Sequence, residues 1–156
     1  MRFTSENPSQ YPPGSYNNPL HGITPTDLRH PVENVRWEDC WVTLFRLGLT
    51  LPTEAQWEYA CRGGTTTPWW CGLEKESLRD VANVADLFDK IHEGPRSSFY
   101  EEWDDGHAIH APVGSYRPNS FGFHDVHGNV WEWCQDTRAV RYADICLLYT
   151  SDAADE

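Results

Sequence analysis

The chain has 156 residues, 39% of them hydrophobic, and its 8 Trp, 7 Tyr and 6 Phe give it enough bulk to build a core in one domain, which excludes a wholly disordered chain. A formal net charge of −12, with no cluster of Lys or Arg, argues against nucleic acid, whose phosphates are bound by such clusters, and favours hard cations. No run approaches the roughly 18 apolar residues that cross a bilayer, and Met1 to Gln10 lacks the charged and apolar regions of a signal peptide, so no membrane span is expected and the compartment stays open.

Eleven glycines, 11 prolines and a mean hydropathy of −0.64 describe large side chains pinning down loops. In chain order, Met1 to Thr26, rich in Pro, Asn, Ser and Tyr, reads as ordered loop or linker. Val35-Arg36-Trp37 reads as extended, and WEDCWVTLFRLG as a helix stopped at Gly48. Leu49 to Leu51 alternates like a short strand. The next helix is the best marked: Thr53 and Gln56 form a capping box, Gly63-Gly64 supplies the stop, and Trp57 and Cys61 share one face, predicted to be buried. From Thr65 to Gly114 the pattern predicts long irregular loops, with at most one strand in HAIHAPVGSY; such loops persist where a ligand, metal or disulfide holds them. The last eleven residues, CLLYTSDAADE, are similar to an in-frame translation of a sequencing-library adapter. The expected organisation is therefore a native part, 1–145, and a non-native tail, 146–156. Without the tail the acidic count falls from 24 to 21 against 12 basic residues, and the chain stays acidic at −9. Four cysteines, Cys40, Cys61, Cys71 and Cys134, then remain as thiols or disulfide partners, with no pairing chosen by sequence.

Three blocks in order, HPVENVRWEDC, LPTEAQWEYACRGGTTTPW and APVGSYRPNSFGFHDVHGNVWEW, resemble the formylglycine-generating enzyme, or sulfatase-modifying factor, family over roughly residues 30–136. The resemblance implies a single α+β domain, loop-rich, related to the C-type lectin fold and stabilised by calcium. Its catalytic members oxidise a cysteine of a sulfatase-type peptide to formylglycine with molecular oxygen and a copper ion held by two cysteines. In the family that pair lies downstream of the HGNVWEW block, and Cys134 comes too early to be either one. No catalytic or cofactor-binding residue is therefore assigned, the domain is expected to be open at both ends, and the chain itself is expected to be inactive.

Calcium takes six to eight oxygen ligands, backbone carbonyls included, so irregular loops rich in Asp, Asn and Gly suit it. By similarity to the family, Asp125, Gly128, Val130 and Glu132 match one calcium site, and Asn83, Val84, Asp105 and His107 a second, with Asp104 as a competitor for Asp105. The plainer alternative is that Asp125 caps a turn and Glu132 is a surface carboxylate. His124 and His127, three apart, are expected to pack or hydrogen-bond rather than to hold zinc or iron. Trp57, Trp131 and Trp133 are expected to anchor the core rather than to line a peptide cleft. Two functions follow: an oxidase acting on sulfatases when intact, or a non-catalytic, calcium-stabilised binding module of the same fold.

Overall fold

The computed structural model describes residues 7–15, 25–92 and 99–136. Among these, regular structure amounts to three α-helices, α1 (Trp37–Arg46), α2 (Glu54–Arg62) and α3 (Leu87–His92), and one 3-10 helix, Lys75–Leu78. No strand forms among the described residues; two isolated bridges, Trp69 with Gly72 and Asn83 with Gly128, are the extent of β pairing there.

Helix α2 follows its sequence signals closely. The Thr53 hydroxyl accepts from the Gln56 amide, and the Gln56 side chain accepts from the Thr53 amide. These two bonds satisfy donors that a helix start leaves open. At the other end Gly63 is left-handed, with φ 55, and Asn119 takes over the freed carbonyls: its amide donates to Ala60 O at 2.6 Å and to Cys61 O at 3.1 Å. The same Asn119 accepts from the Phe121 and Phe123 amides, and the Ser120 hydroxyl donates to Gly63 O. One buried carboxamide thus fastens α2 to the turn at 119–123.

Helix α1 differs from its expected outline, because Trp37 is its first residue rather than the end of an extended run, and no side chain caps it. The Trp37 indole donates to Cys134 O at 2.8 Å, and the Trp133 indole donates to Val35 O at 2.9 Å, so the start of the helix is locked by a segment almost a hundred residues away. None of its residues is buried; Trp41 and Phe45 stack on each other in the open, ring centroids 5.5 Å apart. Leu49 to Leu51 makes no strand, nor does the stretch from His107 to Tyr116. Neither stretch takes part in a β-bridge.

The core is small and partly polar. Leu51, Cys61, Val81, Ala82, Trp103, Ala108 and Ala111 are its apolar members, and Thr26, Asn83, Asp86, His110 and Asn119 are buried with them. With so little apolar burial, carboxamide and carboxylate side chains substitute for backbone ladders by accepting and donating to loop amides and carbonyls. The adapter-like segment 146–156 lies outside the described residues, as does most of the N-terminal stretch assigned to loop.

Candidate metal centre

The two places singled out as cation sites adjoin each other. Asn83 pairs with Gly128 in a parallel bridge, and the Asn129 amide donates to Asn83 O at 2.8 Å. The Asn83 side chain donates to Ile109 O at 2.6 Å, while Asn129 exchanges bonds with the amide and carbonyl of Ala111. Asn129 stands at φ 63, a conformation Asn tolerates better than most residues. It was missed as a positioning residue, and its signal in the sequence was Gly128-Asn129 inside a turn.

Asp105 joins the remaining members of the first set. Its carboxylate accepts from the Val84 amide at 3.2 Å and from the His107 amide at 2.9 Å, so loops from both parts of the proposed site converge on it. Asp104 instead accepts from the Gly106 amide at an exposed position, which favours Asp105 as the inward group. Burial pushes the Asp105 carboxyl up to about 7; the His107 and Val84 amides oppose this and the Asp86 charge adds to it. Asp86 is fully buried and accepts from the Asp105 amide at 2.6 Å and the Phe88 amide at 2.9 Å. Two carboxylates in so dry a place are tolerated at neutral pH when positive charge is near.

In the second set, Asp125, Val130 and Glu132 line one cavity of about 420 Å³ with Gly114 and His124. Asp125 stands at φ 56; its Oδ2 accepts from the Gly114 amide at 2.6 Å, whereas Oδ1 is buried without a hydrogen-bond partner. A buried carboxylate oxygen without a partner is costly, and it fits a cation ligand. Gly128 sits so close to the first set that a Cβ there would come within 2.0 Å of Asn83 O. Glu132 is exposed, and its Oε2 accepts from the Trp57 indole at 2.6 Å, which orients the carboxylate toward α2. These donor types, oxygens on irregular backbone, suit calcium.

His124 and His127 both make polar contacts with neighbouring loops. His124 Nδ1 lies 2.7 Å from Tyr116 O, and His127 Nε2 accepts from the Trp70 amide while its Nδ1 faces Cys61 Sγ at 3.6 Å. No group of three or more His, Cys, Asp or Glu side chains among the described residues is arranged to hold a metal without backbone oxygens. The tryptophans depart from expectation. Trp131 is fully exposed and Trp133 is 49% exposed, so neither anchors the core; with Trp37 and Trp57 they line a groove of about 1280 Å³. The alternation of Trp131 and Trp133 about Glu132 places these rings on the groove once Glu132 is tied to Trp57.

All four described cysteines are free thiols. Cys61 meets Val126 O and His127, and Cys71 meets Ser77. Burial pushes Cys40, Cys61 and Cys134 up, away from the thiolate that binds soft metals or attacks carbon.

The profile of the sulfatase-modifying factor enzyme 1-like domain matches residues 13–151. The chain belongs to this family. It is 38% identical over 120 residues to the formylglycine-generating enzyme of Streptomyces coelicolor, covering 69% of this chain and 32% of that protein. It is 34% identical over 126 residues to the inactive C-alpha-formylglycine-generating enzyme 2 of Mus musculus, covering 78% of this chain and 37% of that one. The chain thus spans about a third of the length of these curated relatives. Among solved structures, PvdO from Pseudomonas aeruginosa superposes with a TM-score of 0.59 at 27% identity, over 74% of this chain and 42% of that one. No helix among the described residues is long and apolar enough to cross a membrane.

Proposed function

We propose that this chain is the calcium-held part of a formylglycine-generating domain of the α+β, C-type-lectin-related class, whose whole protein oxidises a cysteine of a sulfatase-type peptide to formylglycine with molecular oxygen. The observation that carries the calcium reading is the unpartnered, buried Asp125 Oδ1 beside Val130 and Glu132 in one cavity. Asp125, Gly128, Val130 and Glu132 would hold one ion, and Asn83, Val84, Asp105 and His107 the other. Bound calcium supplies the positive charge that offsets the buried carboxylates. The chain's own contribution is to draw loops from residues 83, 105 and 125–132 onto one region through Asn83, Asp105 and Asn129.

Copper belongs to the activity proposed for the whole protein. The reading carries with it the expectation that this chain by itself leaves such a peptide unchanged. Two measurements test the reading. Thermal melts in calcium and in chelator are expected to differ by several degrees, since a ligand at about 100 times its Kd stabilises the native state by roughly 2.7 kcal/mol. Coincident melts would remove the calcium claim. Mass spectrometry of a sulfatase-type peptide incubated with this chain, copper and oxygen is expected to find the cysteine unchanged, and conversion to the aldehyde would overturn the inactivity.

A second reading is a non-catalytic, calcium-stabilised binding module. It is favoured by the similarity to a mouse protein whose name marks it as inactive, and by the groove of exposed tryptophans. Peptide conversion by the whole protein separates the two readings.

A further inference from the structure

Tyr116 links the two cation places from a third direction. Its carbonyl lies 2.7 Å from Nδ1 of His124, the neighbour of Asp125, and its ring stands edge-on to His107 with centroids 6.3 Å apart. The adjoining loop is tied to the same place, because the Gly114 amide donates to Asp125 Oδ2. The phenolic oxygen at the tip of the side chain is buried and has no hydrogen-bond partner. A buried hydroxyl left in that state costs free energy unless something absent from the protein itself accepts its bond. A tyrosine hydroxyl carries its proton at neutral pH and has one hydrogen bond to donate.

We propose that Tyr116 completes the Asn83–Asp105 cation site, its hydroxyl donating a hydrogen bond to the oxygen shell of the bound ion. The inference rests on the calcium reading above and adds to it a residue on the 114–116 turn. The ring keeps the His107 side of the shell in place, and the hydroxyl supplies the donor that the carboxylates and carbonyls, all acceptors, cannot. Tyr116 is a positioning residue here, acting on the ion through the oxygens around it.

The test compares the full chain with Tyr116→Phe, which keeps the ring and its packing, using calcium chloride alone as the probe. Isothermal titration is expected to show roughly ten-fold weaker calcium binding at one site in the variant, the effect of a hydrogen bond to a charged group. In chelator the variant is expected to melt at the same temperature as the parent chain or higher, because an unpartnered hydroxyl has been removed. In calcium it is expected to melt lower. A purely structural tyrosine would instead shift both melts in the same direction, and that result overturns the proposal. Equal calcium affinities for the two chains, within two-fold, overturn it while leaving the calcium reading intact; no calcium uptake by the parent chain removes both.

Discussion

The carbonyl oxygen of Asn83 occupies the space where a side chain on Gly128 would begin, 2.0 Å from the position of an ideal Cβ. Gly128 also stands at φ 73, which L side chains rarely adopt. The contact between the two loops is therefore reserved for glycine. Gly128→Ala is expected to push the 83 and 128 loops apart, break the Asn129-to-Asn83 bond and lower stability by about 3 kcal/mol. Urea denaturation measures the loss, and a change below about 0.5 kcal/mol would show that the loops are not pressed together.

Asn119 is expected to matter more than its size suggests. It is buried, donates to two carbonyls at the end of α2 and accepts from two amides of the following turn. Asn119→Ala leaves these groups without partners in a dry place, at a cost of about 2–4 kcal/mol. Circular dichroism melts of the variant should fall sharply, and Asn119→Asp should not restore them, because a carboxylate has no N–H to offer Ala60 and Cys61.

The bond between the Trp57 indole and Glu132 carries an optical signal. Glu132→Gln is expected to weaken calcium binding at the Asp125 site about ten-fold or more, since a charged oxygen ligand is replaced by a neutral one. It should also alter the calcium-dependent change in tryptophan fluorescence. Unchanged affinity with an altered spectrum would confine Glu132 to orienting the indole.

At Asp27 the expectation concerns acid. Hydrogen bonds from the Arg29 side chain and backbone, with the Arg29 charge beside them, hold its carboxyl down at about 2 against an ordinary value of 3.8. A lowered folded value means that the ionised form is the one stabilised. The contribution is complete above pH 3.8 and disappears as pH falls through about 2. Asp27→Asn should therefore lower the melting temperature slightly at pH 7 and throughout the range above pH 4, and the two profiles should converge as pH falls toward 2, which flattens the acid limb of the variant. A profile that overlays that of the parent chain would contradict it.

Cys61 is expected to react slowest of the described thiols with a neutral disulfide reagent. It is 7% exposed, its thiol faces Val126 O, and burial raises its pKa. His127 does not activate it. Accepting the Trp70 amide at Nε2 puts the imidazole proton on Nδ1, the atom that faces the sulfur, so this ring has no free lone pair there to take the thiol proton. Fast labelling of Cys61 at pH 7.5 would show that the interior opens readily.

What was legible in the sequence followed locality. The capping box at Thr53 and Gln56 and the glycine stop at Gly63 act within a few residues, and α2 forms as these signals direct. Family-bearing motifs were equally plain, because three blocks kept their order. The carboxamides were not. Asn119 and Asn129 satisfy carbonyls and amides up to 59 residues away, and nothing local distinguishes such an asparagine from one in a surface turn. The short helix α3 and the 3-10 helix at Lys75–Leu78 lie where Gly, Asp and charge suggested loops. Trp131 and Trp133 misled for a related reason: hydrophobicity indicates what side chains prefer, and only the placement of Glu132 decides which way these rings point.

The two indole bonds that close the domain, Trp37 to Cys134 and Trp133 to Val35, span 97 and 98 residues. Synthesis at about 5–20 residues per second leaves α1 waiting roughly 5–20 s after its own emergence before its fastening partners leave the ribosome. During that interval the Trp37 indole, half-buried in the folded chain, lacks the Cys134 carbonyl that holds it. A nascent chain of this design is therefore a natural client for holding chaperones, and its yield in cells should depend on their supply more steeply than its final stability would suggest.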